Sequence, residues 1–250
     1  MKTIFTSIIL FFFITSFYSQ KEKYPPNFGF QFQTLSTSSI MGVKQNQITF
    51  DNFKATLSQR MAFSLGCVLR FNISKLTAVE SGINVTKRSY VSSMSMINSD
   101  VSVQDSFSFA KFEIPISLLI SIPLSKSIFI NTSMGIIPSL GPANIFHKKK
   151  IVDDYTFENK ILIKRESLSL CAKVGFEYHT QKKVFFSLGY SVRVPVQPSF
   201  IWYSTYCIAP QTKNIGISKF IKSSYTCINL IYFLPLKKQS GQQPNKALIE

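Results

Sequence analysis

The run SLSLCAKVGFEYHTQKKVFFSLGYSVRVPV, residues 167–196, decides the fold. Its first half sets Leu168, Leu170, Ala172, Val174, Phe176 and Tyr178 against Ser169, Cys171, Lys173, Gly175, Glu177 and His179. Its second half sets Phe186, Leu188, Tyr190, Val192, Val194 and Val196 against Ser187, Gly189, Ser191 and Arg193. A period of two is strand periodicity with one apolar and one polar face. Only Thr180, Gln181, Lys182 and Lys183 separate the halves, so the pair is expected to form a tight antiparallel hairpin.

The same alternation recurs in both directions along the chain. Phe28, Phe30 and Phe32 open a first strand, and a second carries Phe53, Ala55, Leu57, Met61, Phe63, Leu65, Cys67, Leu69 and Phe71 in one phase. That run is longer than a tilted strand needs to cross a bilayer, so its upper part is expected to stand above the membrane. A third strand places Val79, Ile83 and Val85 opposite Glu80, Gly82, Asn84, Thr86 and Arg88. The fourth sets Phe112, Ile114, Ile116, Leu118, Ile120 and Ile122 against Lys111, Glu113, Ser117 and Ser121. The fifth sets Ile128, Ile130, Met134 and Ile136 against Asn131, Ser133 and Gly135. The last runs from about Ile221 to Leu236.

With the opening hairpin this makes eight strands whose connections alternate long and short. The long segments are a polar stretch to Asn52, Met94 to Asp105, Ala143 to Arg165 and Pro198 to Lys219. Alternating tight turns and extended loops are the signature of an all-β, eight-stranded antiparallel up-and-down transmembrane β-barrel.

A soluble lipocalin-like barrel, filled by the apolar face, is the competing architecture. An eight-stranded barrel has room inside only for its own side chains or one small ligand. The Phe, Ile and Leu set would overfill it, whereas the opposite face offers glycines, serines and charges of both signs. The apolar face is therefore expected outside. Arg70, Glu80, Lys111, Glu113, Lys173, Glu177 and Arg193 are expected inside as a paired network that plugs the lumen, since buried charges persist when paired.

Residues 1–20 have the basic, apolar and small-polar order of a secretory signal peptide. A linker is expected over 21–27, the barrel over 28–236 and a disordered periplasmic tail over 237–250. The formal charge of +16 raises nucleic acid as a partner. Export and the dispersal of the lysines over turns and loops point instead to outer-membrane lipid and lipopolysaccharide. Cys67, Cys171, Cys207 and Cys227 show no C-x-x-C spacing, and their pairing is not readable from sequence. His147, Asp153, Asp154 and Glu158 lack any recognised ligand spacing, so no metal or cofactor is expected. An acyl-transfer site around His147 has no accompanying nucleophile motif, which favours a non-enzymatic barrel over a lipid-modifying enzyme. The long loops would then carry contacts to envelope protein partners.

The chain resembles the PorT-like outer-membrane β-barrel domain proteins of Bacteroidota. The likeness lies in a leader ending in Ser19-Gln20, in Phe112-Glu113-Ile114-Pro115-Ile116, in Val174-Gly175-Phe176-Glu177-Tyr178 before a lysine turn, and in Ile231-Tyr232-Phe233. The resemblance implies an outer-membrane location and, for some members, service to a protein-secretion machinery. Many outer-membrane barrels finish on a terminal aromatic, whereas here Leu234 to Glu250 follow Phe233.

Overall fold

The computed structural model describes residues 26–37, 45–50, 52–142, 145–180, 184–208, 215–222 and 224–235. The expected signal peptide, the Lys182-Lys183 turn and the expected tail lie outside the described residues. The strands in chain order are β1 (Asn27–Thr37), β2 (Gln45–Phe50), β3 (Phe53–Gln59), β4 (Ala62–Asn72), β5 (Thr77–Met96), β6 (Ser102–Glu113), β7 (Ile116–Pro123) and β8 (Ile128–Leu140). They continue as β9 (Ile145–Val152), β10 (Tyr155–Ile163), β11 (Glu166–His179), β12 (Phe185–Pro195), β13 (Phe200–Ile208), β14 (Ile215–Ile221) and β15 (Tyr225–Phe233).

A closed antiparallel ring runs β1, β4, β5, β6/β7, β8, β11, β12, β15 and back to β1. β6 and β7 are one wall strand. Asn84 faces Glu113 and Ser81 faces Ile116, so the register continues unbroken across Ile114 and Pro115. Proline lacks the N–H that the ladder would use there. The eight-stranded antiparallel up-and-down barrel expected from the alternation is the architecture found.

The ring turns its apolar face outward. Met134 is 75% exposed and Phe176 60%, while Asn131, Ser133 and Glu177 on the alternate positions are buried. An interior filled by Phe, Ile and Leu, as the lipocalin-like alternative requires, is not what this belt encloses. At one rim Phe186 and Tyr232 pack with ring centroids 5.2 Å apart beside the exposed Tyr178, where an interfacial girdle is expected.

The short turns at this rim are closed by hydroxyls. Ser74 Oγ accepts from the backbone N–H of Leu76 and Thr77, Ser125 Oγ from those of Ser127 and Ile128, and Thr180 Oγ1 from that of Val184. A Ser or Thr at this place substitutes for a backbone acceptor and tightens the turn.

At the opposite rim the expected loops are largely strands. The stretch 143–165 contains β9 and β10, and 198–219 contains β13 and most of β14. These four form a second sheet in the order β14-β13-β10-β9. The polar stretch before Asn52 contains β2, and the Met94–Asp105 loop shrinks to the residues between Met96 and Ser102. The upper parts of β5 and β6, with β2 and β3, form the facing layer.

Between the layers lies the main hydrophobic core. It includes Phe53, Leu57, Tyr90, Met94, Phe157 and Trp202. Phe53 stacks on Tyr206 at 4.9 Å, and Tyr90 meets Phe200 edge-on at 5.0 Å.

This dome corrects the single phase expected for Phe53 to Phe71. Gln59 faces Tyr90 while Phe63 faces Lys87, so β3 and β4 use one more residue than β5 over the same span. The extra residue, at Arg60-Met61, is a bulge that reverses the pleat. Phe53, Ala55 and Leu57 consequently point into the dome core, while Phe63 and Leu65 face outward. The chain carries one tryptophan, and Trp202 is fully buried in the dome. Trp202→Ala is expected to cost ~3–5 kcal/mol, the range for emptying a core aromatic site. Limited proteolysis should then cut β9–β10 and β13–β14 while the barrel below resists.

Candidate functional site: an ion-paired lumen under an apolar dome

Long charged side chains enter the lumen because their strands place them on the inner face and glycines leave them space. Gly175 sits directly opposite Gly189, thinning the wall beside Lys173. At Gly66 a Cβ would collide with the Ile83 carbonyl oxygen and with Asn84 Oδ1. Gly66→Ala is therefore expected to destabilise by ~1–3 kcal/mol through overpacking, read as a lowered urea midpoint in detergent.

The lumen is layered. Nearest the short turns, Phe185 stacks on Phe233 at 4.4 Å, and the Arg70 guanidinium lies 4.4 Å from the Phe233 ring centroid. Arg70 donates to Glu80 Oε1 at 2.8 Å and pairs with Glu177 Oε2 at 2.7 Å. Lys173 Nζ donates to Glu80 Oε2 at 2.7 Å, and Asn131 Nδ2 to Glu177 Oε2 at 2.7 Å. His179 at the rim completes the shell around Glu177. Two cations thus face two carboxylates, all four nearly inaccessible to water apart from a small part of Lys173.

A second cluster lies higher. Arg193 Nη1 donates to Glu113 Oε2 at 2.6 Å and Arg88 Nη2 to Glu113 Oε1 at 2.9 Å. Arg193 also donates to Gln33 Oε1. One carboxylate serves two guanidiniums here. Above it, Arg88 lies 4.5 Å from the Tyr225 ring centroid, and the hydroxyls of Tyr225 and Tyr90 bond at 3.0 Å. Tyr90 belongs to the dome core, so the polar lumen passes directly into the apolar dome.

Six of the seven residues expected in the lumen network are brought together in these two clusters. The seventh, Lys111, is buried on the inner face but bonds Ser167 Oγ at 3.1 Å and no carboxylate. Arg88, which was not among the residues expected in the network, pairs with Glu113. Its position on the polar face of the third strand was readable, but its height relative to Glu113 depends on the stagger of neighbouring strands.

Between the clusters a cavity of about 50 Å³ is lined by residues including Gln31, Lys173, Arg193 and Asn229. At ~10–15 Å³ per water it holds a few waters and no larger ligand.

The residues weighed as a catalytic or metal site lie on the dome. His147 is on β9, not in a loop, and its Nε2 contacts Glu158 Oε1 on β10. Asp153 and Asp154 form the tip of that hairpin, with Asp153 at φ 53°, the left-handed conformation that Asp tolerates in a two-residue turn. They do not converge on His147. Among the described residues no group of three His, Cys, Asp or Glu side chains is arranged to hold a metal ion.

The His147 hydrogen bond is the main cause holding the Glu158 carboxyl below its ordinary value. A depressed carboxylate contributes stability above its unfolded pKa and loses it as the pH falls through the folded value. All four cysteines are free thiols on strands, Cys207 included, although it was expected in a loop.

No family model matches the chain, and no curated protein matches it. Among solved structures, the outer membrane protein OprG from Pseudomonas aeruginosa is 10% identical, covers 84% of this chain and 96% of its own, and has a TM-score of 0.49. The outer membrane protein AlkL, solved in DMPC lipid bilayers, is 13% identical over 86% and 93% of the two chains, with a TM-score of 0.45. The outer membrane protease OmpT from Escherichia coli is 6% identical over 84% and 96%, with a TM-score of 0.39. The fold rests on the closed eight-strand ladder itself.

Proposed function

We propose that this chain is an outer-membrane β-barrel with a plugged lumen, acting as a structural or partner-binding component of the cell envelope and not as an enzyme. The observation that carries this reading is the pairing of a continuous exposed apolar belt with a closed, ion-paired interior. Such a belt is stable only against hydrocarbon, and among the described residues no helix is long and apolar enough to span a bilayer. A filled lumen leaves the outer surfaces as the means of acting on anything else. The dome presents these surfaces on a rigid support, as binding loops are presented elsewhere.

The exposed cations Arg60, Lys87, Lys164 and Arg165 stand just above the belt and suit the phosphates of outer-leaflet lipopolysaccharide. The PorT-like sequence segments extend the reading to a link with protein secretion. Cell fractionation followed by co-purification in mild detergent tests it. The protein is expected in the outer-membrane fraction, with heat-modifiable gel mobility and a defined envelope partner. Recovery from the soluble periplasm would overturn the reading.

A further inference from the structure

The dome is a two-layer sandwich with open edges where β6 faces β9 and β2 faces β14. Edge strands with unpaired backbone groups are templates for another strand, and proteins block them with lysines, prolines or short lengths. β9 carries Lys148, Lys149 and Lys150, β14 carries Lys219, and β2 is only six residues long. The upper part of β6 has no such block. From Ser102 to Ala110 it contains neither proline nor lysine, and among the described residues it pairs with β5 alone.

The direction of its free groups follows from one hydrogen bond. Lys150 Nζ, on β9, donates to the Gln104 carbonyl oxygen at 2.8 Å, so the backbone of Gln104 faces β9. In an antiparallel strand the N–H and C=O of one residue point the same way and alternate along the chain. Ser106 and Ser108 therefore direct their backbone groups into the same gap.

That gap is a cleft of about 470 Å³, lined by Asp105, Ser106, Phe107 and Ser108 on one side and Phe146 and Lys148 on the other. The rings of Phe107 and Phe146 are 5.9 Å apart across it. Asp105, 4% exposed, engages Lys148 and Lys150 through Oδ1 at 3.3 and 3.2 Å, while Oδ2 is a buried acceptor without a donor.

We infer that this cleft accepts an extended segment of a partner protein as an added β-strand along β6, with acidic and apolar side chains alternating. The backbone of Ser106 and Ser108 supplies the ladder, and an incoming N–H satisfies Asp105 Oδ2. Apolar side chains pack on Phe107 and Phe146, and the acidic ones, on the opposite face of the added strand, meet Lys149 of β9, which alternates with Phe146, Lys148 and Lys150. At ~3.3 Å per residue, the free edge from Ser106 to Ala110 seats about five residues. The inference rests on the partner-binding reading above and names the surface and the chemistry of its partner.

The test uses the full chain in detergent micelles and two blocked eight-residue peptides, one alternating glutamate with valine and one alternating lysine with valine. Binding is followed by fluorescence anisotropy, and protection by amide hydrogen exchange at Ser106 and Ser108. The glutamate peptide should bind at least tenfold more tightly than the lysine peptide and protect both amides. Ser108→Pro, which removes one edge N–H, should weaken it at least tenfold, while Ser108→Ala should bind like the parent protein.

If Ser108→Pro loses its heat-modifiable mobility, Lys149→Gln takes its place and should erase the preference for the glutamate peptide. Failure of the glutamate peptide to bind folded protein, or binding without protection of Ser106 and Ser108, would overturn the inference. A partner that still co-purifies with the Ser108→Pro protein would leave the partner-binding reading standing while removing this cleft from it. Absence of any partner from the parent protein strikes that reading instead.

Discussion

Replacing Glu113 by alanine is expected to destabilise the barrel by ~3–5 kcal/mol, the cost of leaving a buried charge uncompensated. The effect is large because Glu113 is the one carboxylate shared by Arg88 and Arg193, both buried. Its removal leaves two guanidiniums in a space closed by Tyr225 above and the lumen wall around. The measurement is reversible urea unfolding of protein refolded in detergent, followed by the gel-mobility shift. Restoring the balance by Arg193→Met in the same chain should recover part of the loss. A double variant no better than the single would show that Glu113 acts by packing and not by charge.

Leu230→Arg is expected to cost ~2–4 kcal/mol in lipid, the range for a cation placed on the lipid face at the bilayer midplane. Leu230 is half exposed on β15 and lies between Phe32 of β1 and Leu188 of β12, within the apolar belt. The same change at Ile151, 70% exposed on the dome, should cost almost nothing, because that side chain already meets water. The contrast separates a lipid-facing belt from a merely exposed apolar surface. Equal small costs at both sites would mean that the belt is not in hydrocarbon.

The barrel was legible because alternation reports which side of a strand each residue occupies, and every wall strand keeps its alternation through the belt. The lumen network was legible as a set of residues on the inner face, but not as pairs. Pairing needs the height of each side chain around the ring, which the stagger between strands decides. That is why Lys111 was expected beside a carboxylate and Arg88 was not.

The dome was hidden for a different reason. β5 holds one phase from Glu80 to Met96, yet its inward residues change from Glu80, Asn84 and Arg88 to Tyr90, Met94 and Met96. Period two gives the face and is silent about what the face meets. The bulge at Arg60-Met61 inverted the reading of Phe53, Ala55 and Leu57 through one extra residue. β9 looked like a loop because three consecutive lysines mask its pairing with β10. β13 carried a visible signal, with Phe200, Trp202 and Tyr206 alternating with less buried residues, but Pro198 and the neighbouring turn residues obscured it.

On this reading the apolar face of the barrel is its outside and meets hydrocarbon. Nuclear cross-relaxation from lipid acyl methylenes, measured residue by residue on labelled protein in lipid nanodiscs, tests it most directly. The expected result is strong transfer at Leu118, Met134, Phe176 and Leu230, with none at Trp202 or Phe53, which are enclosed in the dome. Water contacts at Leu118, Met134, Phe176 and Leu230, in place of acyl-chain contacts, would contradict the account.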